Sequence, residues 1–275
     1  MIKKTLQYKI TEKDQGKTVE QFLRSKGYSH RLVVKLRNSP TGLTIGGELA
    51  FTIHRLQAGE ILIATLEEEN SQNIVPVELP LNIVYEDEDI LVVNKDAGVP
   101  IHPSQGHFDH TLANAVAWYY QSKGQTLVYR AINRLDRDTT GLLVIAKHLL
   151  AGCILSDQML NRQIHRQYRA IVCGKTEKEG IIDAPIGRAE DSTVLRRIDF
   201  EHGETARTRY RLLSYDEEKD LSYISLKLDT GRTHQIRVHM ASTGHPLLGD
   251  TLYHSDDKIS SCASFSRAAL HAWKV

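Results

Sequence analysis

The run NRLDRDTTGLLVIAK, Asn133–Lys147, sets a carboxylate between two arginines, follows it with two threonines and a glycine, and then turns wholly apolar. A short apolar run bounded by a glycine turn reads as a buried strand. Asp136 therefore stands at the mouth of that strand, with Arg134 and Arg137 beside it. Adjacent cations favour the ionised carboxylate. An ionised carboxylate in such a place is a candidate nucleophile or base. The plainer reading is a turn-forming aspartate in a surface ion pair, which is the usual fate of this residue type. Asp138 offers a second carboxylate, so the two could act as a paired acid and base in the manner of a glycosidase. Its position just ahead of Thr139-Thr140-Gly141 fits a turn former more simply.

Two further stretches carry unusual chemistry. HRQYRAIVCGK, from His165, reads as a strand with Tyr168 amid Arg166 and Arg169. Such a tyrosine can stack on a base while the cations hold phosphates; a half-buried sheet tyrosine is the commoner outcome. KLDTGRTHQIRVHMASTGHPLLGD spans Lys227–Asp250. Gly231 permits an unusual backbone angle before a helix that runs from about Thr233 to Gly244. His234 and Arg237 are three apart and share a helix face. A helix start flanked by Arg232 and Thr233 could hold a phosphate or orient a carboxylate. A metal site made of His234, His239 and His245 fails on spacing, because positions five apart point away from each other. HPSQGHFDH, His102–His110, fits turn hydrogen bonds better than a three-histidine metal loop.

The rest of the chain supplies the frame. NIVYEDEDILVVNKDAG reads as a hairpin and HTLANAVAWYYQSKG as an amphipathic helix stopped by Gly124. HLLAGCILSDQMLNRQI reads as a second helix; ARTRYRLLSY and YISLKLDTG read as strands. Many strands with few helices predict an α+β domain over residues 80–275 with a mainly antiparallel sheet. Residues 67–79, acidic and polar with Pro76, read as a linker. Residues 1–66 form a separate unit: TVEQFLRSK and SHRLVVKLRN predict two short helices, and Gly42, Gly46 and Gly47 mark turns between strands. Arg24, Lys26, Arg31, Lys35 and Arg37 fall on those helices, a layout suited either to nucleic-acid binding or to an ordinary solvated surface.

Composition excludes several classes. At 275 residues, with 41% hydrophobic and 25% charged residues, the chain can bury a substantial core without disulfides or metal. Three cysteines far apart, with no CxxC, suggest neither a disulfide framework nor a zinc ribbon, and predict a reduced, cytoplasmic setting. The stretch MIKKTLQYKITEKDQGKTVEQF has no apolar core segment and does not read as a secretory signal, and no apolar run approaches the roughly 18–20 residues that span a bilayer. Net charge is only +1, but the charge is segregated. Eight acids and no Lys or Arg lie between Glu67 and Asp89, whereas Arg162, Arg166, Arg169 and Lys175 occur with no acid among them.

Taken together these stretches resemble the RluA-like pseudouridine synthases. NRLDRDTTGLLVIAK is similar to that family's catalytic R-L-D-x-x-T-S/T-G-L loop, HRQYRAIVCG to its K-x-Y strand, and TGRTHQIRVHMASTGHPLLGDTLY to its T-G-R-x-H-Q-[IL]-R-x-H helix and following G-D-x-x-Y. EDEDILVVNKDAGVPIHPS, APIGR and RAALHAW also match in order. The resemblance covers about residues 80–275, and the N-terminal unit resembles a degenerate S4 RNA-binding domain. It implies a mixed, mainly antiparallel sheet with a central cleft, a monomer, and no cofactor or metal. It implies isomerisation of uridine in structured RNA, ribosomal RNA first and transfer RNA second. Asp136 would be the catalytic carboxylate and Arg237 would pair with it. Tyr168 would stack on the uracil and assist proton removal from C5, Arg134 would replace the flipped nucleotide, and Leu135, Ile236, Arg232 and His234 would line the pocket. Sequence leaves open attack at C1′, attack at C6, or a glycal route. Three departures stand out: Asn133 where the family often has His, Asp96 where Pro is usual, and an end at Val275 where the family continues with another strand.

Overall fold

The computed structural model describes residues 2–69, 74–104, 106, 108–190, 192–253 and 265–275. Part of the expected linker (70–73), His107 of the histidine loop, and Cys262 lie outside them.

The first 68 residues build a small layer of their own. Strand β1 (Ile2–Lys9) is followed by helices α1 (Val19–Ser25) and α2 (His30–Arg37), then strands β2 (Leu43–Ile45), β3 (Glu48–Leu49) and β4 (Ile61–Glu68), in a sheet of order β1-β4-β2-β3. Thr18 caps α1 in a reciprocal capping box with Gln21, and Ser29 caps α2 through the Leu32 N–H. The apolar face of each helix, Val19, Phe22 and Leu23 in α1 and Leu32, Val33 and Leu36 in α2, buries against Leu43, Leu62, Ala64 and Leu66 of the sheet. Arg24, Lys26, Arg31, Lys35 and Arg37 remain exposed. Strand β4 runs through Glu68, two residues into the stretch expected to be linker. Buried Glu68 forms an ion pair with Arg130 and accepts the Leu149 N–H at 3.3 Å.

Residues from Ile83 onward form the larger sheet. Its strands are β5 (Ile83–Glu86), β6 (Ile90–Lys95), β7 (Thr140–Ala146), β8 (Gln167–Cys173), β9 (Glu179–Asp183), β12 (Arg207–Asp216), β13 (Leu221–Leu228) and β14 (Leu270–Lys274); a separate ribbon pairs β10 (Ile186–Arg188) with β11 (Arg196–Ile198). The order is β5-β6-β7-β14-β8-β13-β12-β9. Only β7 and β14 run parallel; every other neighbouring pair is antiparallel. The α+β expectation with a mixed, mainly antiparallel sheet holds. Helices α3 (Leu112–Ser122), α4 (Leu149–Leu160) and α5 (Gln235–Ser242) complete the unit.

Alternation along β8 sends Tyr168, Ala170 and Val172 into the core with Leu143, Ile145, Ile224, Leu226, Ile236 and Met240. Leu150 of α4 joins the N-terminal core instead, and Ile154 packs with it, so α4 is the surface on which the small sheet sits.

The chain order hides the central junction. The last strand, β14, inserts between β7 and β8, so its backbone passes close to the turn that carries Asp136. Gly141 makes this possible: its φ is +115°, and a Cβ there would lie 2.3 Å from the Ala272 carbonyl oxygen. Gly141→Ala is expected to destabilise the protein by about 3 kcal/mol or more, combining backbone strain with a clash that no side-chain movement relieves. Urea denaturation checks this, and a midpoint equal to wild type would contradict the packing described.

Candidate active site

Every expected site residue lines one open cleft of about 440 Å3 beside the centre of the sheet. Arg134, Leu135 and Asp136 come from the loop before β7, Tyr168 from the start of β8, and Arg232, His234, Ile236 and Arg237 from the β13–α5 connection and the first turn of α5. Residues far apart in the chain thus meet because the three segments end on the same side of the sheet. Arg134, Leu135, Asp136 and His234 also line an adjoining hollow of about 1080 Å3 with His102 and Arg137. They form the ridge between the two spaces.

The loop bearing Asp136 is held from three sides. Its turn closes with the Thr139 N–H donating to the Asp136 carbonyl at 3.1 Å. Asn133 is buried and spans the base of the loop: its Nδ2 donates to the Leu142 carbonyl at 3.1 Å and its Oδ1 accepts the Val144 N–H at 2.9 Å. Lys95 lies 2% exposed at the end of β6 and donates to the carbonyls of Asp96, Val99 and Arg137 at 2.7, 2.9 and 2.7 Å. Those three acceptors use all the protons of an ammonium group. Burial pushes the Lys95 pKa down to about 8 against the pull of Asp138, Asp136 and Asp96, which leaves it charged at neutral pH. Neither Asn133 nor Lys95 was expected to take part; a lysine closing a strand reads as a surface residue.

Arg237 takes a different partner from the one expected. Its Nε and one terminal nitrogen donate to the two oxygens of Asp250 at 2.7 Å each, and Asp250 is completely buried. Asp136 is not in ion-pair contact with it; the two act on each other at longer range across the cleft. A bidentate fork holds a guanidinium in one plane, and Asp250 occupies that fork. Asp250 raises the Arg237 pKa, although burial opposes it. The residue was visible in the sequence only as the Asp of the G-D-x-x-Y segment. Tyr253, from the same segment, lies under the Arg237 guanidinium with 5.1 Å between cation and ring centre.

Helix α5 begins two residues later than its periodicity suggests, because His234 adopts a left-handed conformation, φ 57° and ψ 18°, immediately before it. Buried Gln235 then ties the helix start to the sheet. Its Oε1 accepts from Thr230 Oγ1 (2.8 Å) and the Arg232 N–H (3.0 Å), and its Nε2 donates to the Arg207 carbonyl and Thr208 Oγ1 (3.0 Å each). Gly231 does not have a positive φ. A Cβ there would lie 2.9 Å from an Arg166 guanidinium nitrogen, so a larger residue would require the end of that side chain to shift. The three histidines once weighed as a metal set have separate partners: Tyr253 for His234, Thr208 and Ala184 for His239, and the Cys173 carbonyl for His245.

The charges that line the cleft suit a polyanion. Arg134 and Arg166 line the cleft without a carboxylate partner among the described residues, whereas Arg232 pairs with Glu204. Asp138 pairs with Arg137 at 3.2 Å and lines neither hollow, so no acid–base pair with Asp136 forms inside the cleft. Tyr168 is buried, and that burial raises its pKa despite the nearby Arg166. Apolar walls come from Leu135, Leu228, Ile236 and Leu270.

Comparison with known proteins fits this geometry. A family model described as RNA pseudouridylate synthase matches residues 89–242. The chain belongs to the RNA pseudouridylate synthase family. It is 37% identical over 271 residues to the uncharacterised RNA pseudouridine synthase YhcT of Bacillus subtilis, covering 98% of this chain and 88% of that one. It is 40% identical over 227 residues to the ribosomal large subunit pseudouridine synthase D of Vibrio cholerae, covering 79% and 69%. Among solved structures, human RNA pseudouridylate synthase domain containing 1 superposes with a TM-score of 0.59 at 30% identity, covering 70% of this chain and 76% of that one. No helix among the described residues is long and apolar enough to cross a membrane.

In this pseudouridine synthase, Asp250→Ala leaves a buried guanidinium unpaired. Losing one partner of such a pair costs about 3–5 kcal/mol. Thermal and urea unfolding of the variant should show a loss of that size, whereas a loss below about 1 kcal/mol would mean that the pair does not hold the cleft floor.

Proposed function

We propose that Asp136 is the catalytic carboxylate, acting on a uridine turned out of structured RNA. The observation that carries this reading is the meeting of Asp136, Tyr168 and Arg237 in one cleft whose arginine is already matched to Asp250. Ribosomal RNA is the favoured substrate, since relatives such as the Vibrio cholerae enzyme are named for the large ribosomal subunit; transfer RNA is the second.

The reaction breaks the bond from uracil N1 to sugar C1′, rotates the base, and joins C5 to C1′. A proton leaves C5 and one is gained at N1, so composition is unchanged. Asp136 serves this chemistry as nucleophile or base. The apolar walls exclude water that would otherwise consume a detached sugar. Tyr168 supports the uracil face, and Ile236 lies within the same wall. Its raised pKa keeps the hydroxyl protonated at neutral pH. A flipped nucleotide leaves a gap in its stack, at a cost of a few kcal/mol. Arg134, exposed on the ridge between the two hollows, is placed to fill that gap.

Residues 1–66 serve as an S4-like RNA module in the same reading, joined to the catalytic unit of residues 80–275 through residues 67–79. Arg31, Lys35 and Arg37 are exposed along α2 with no carboxylate partner among the described residues. Phosphate contacts by such side chains make affinity depend on salt.

Two outcomes test this. Asp136→Asn should lower conversion of uridine in RNA by ~10³-fold or more while RNA affinity stays within about twofold; retained turnover would refute the assignment. Replacing Arg31, Lys35 and Arg37 together with alanine should weaken binding across RNA sequences and flatten the slope of log affinity against log salt. Unchanged affinity and slope would remove the N-terminal unit from the RNA interface.

A further inference from the structure

His234 holds a costly backbone conformation that does no capping work. A non-glycine residue in the left-handed region is uncommon, and such strain persists where the surroundings impose it and collects at ligand sites. His234 precedes α5 directly, yet its side chain makes no cap hydrogen bond. Its imidazole is held by Tyr253 instead.

Two hydrogen bonds determine which ring nitrogen carries the proton. The Arg196 backbone N–H donates to the Tyr253 hydroxyl oxygen at 3.0 Å, and that oxygen lies 2.7 Å from His234 Nδ1. Tyr253 has a single hydroxyl proton. Given to Nδ1, it satisfies both residues. With a proton already on Nδ1, the hydroxyl proton would have no partner among the described residues. Nδ1 therefore accepts, and Nε2 carries the hydrogen. Burial holds the ring below its ordinary pKa against the pull of Asp136, so it is neutral at pH 7. Nε2 has no protein partner among the described residues, and His234 lines the spaces on both sides of Asp136.

We propose that His234 is a specificity-determining residue whose Nε2–H donates to O4 of the target uracil, with Tyr253 as the residue that positions it. This rests on the reading of the cleft given above. Uracil offers two carbonyl acceptors, whereas cytosine replaces one with an amino donor. A fixed donor facing that amino group would leave both unpaired, and enzymes discriminate strongly on such mismatches. A neutral donor suits an uncharged carbonyl, and the cleft already holds arginines for phosphates.

The test uses the full chain and transcripts of large-subunit ribosomal RNA and transfer RNA in which 4-thiouridine or 2-thiouridine sparsely replaces uridine. Conversion is read position by position under single-turnover conditions. Sulfur accepts a hydrogen bond more weakly than oxygen. Wild type should convert 4-thiouridine about 3- to 10-fold more slowly than uridine, the worth of one hydrogen bond, and 2-thiouridine about as fast as uridine. His234→Asn, which tolerates the left-handed backbone, and Tyr253→Phe, which keeps the ring under Arg237, should each shrink that ratio toward one. The proposal is overturned if wild type converts 4-thiouridine as fast as uridine, if the penalty falls on 2-thiouridine instead, or if the 4-thiouridine penalty persists undiminished in both variants. Failure of wild type to convert uridine in either RNA is a separate result, which defeats the underlying substrate reading and this inference with it.

Discussion

The buried pair of Arg237 and Asp250 is the constraint on which the cleft depends. A buried guanidinium is tolerable only with a matched carboxylate, and Asp250 supplies both oxygens in a planar fork. Because that fork is occupied, Arg237 acts on Asp136 across space and not by direct contact. In the proposed role, Asp136 keeps its oxygens for a substrate with a fixed positive charge across the cleft. A direct Asp136–Arg237 pair would have to be broken whenever a nucleotide entered.

The remaining supports converge on the same loop. Lys95 ties three backbone carbonyls from two segments, Asn133 clamps the loop to β7, and Gly141 lets β14 pass alongside. None of these side chains needs to touch the substrate. Each lowers the freedom of the loop that carries Asp136, which its proposed role requires, since a reacting group must be held to within fractions of an ångström. The strained His234 fits the same pattern: α5 starts late, and its first turn carries Ile236 and Arg237 into the cleft.

Much of this was legible in the sequence where the signal is local. Apolar runs marked β6 and β7, residues of high strand propensity marked β8, β12 and β13, Ser29 marked a helix start, and the three polar stretches pointed to residues that do share one cleft. Signals that depend on tertiary contact were not legible. The partner of Arg237 is thirteen residues onward and beyond the helix, so charge spacing could not select Asp250 over Asp136. Lys95 looks like any lysine ending a strand until three carbonyls surround it. Gly231 reads as a turn glycine, but it has no positive φ and packs against the Arg166 guanidinium. Asn133, a departure from the family's usual histidine, turns out to satisfy two backbone groups of β7. The insertion of β14 between β7 and β8 leaves no local trace, since a parallel neighbour distant in sequence alters no residue pattern.

The most direct test of the central claim is a structure of the protein bound to RNA carrying 5-fluorouridine at the modified position. Fluorine at C5 blocks the last proton loss, so the complex should stall with the nucleotide in place. The account predicts a base turned out of its stack against Tyr168 and Ile236, with an Asp136 carboxylate oxygen in contact with the reacting nucleotide. A nucleotide bound elsewhere, or one approached by a different carboxylate, would contradict it.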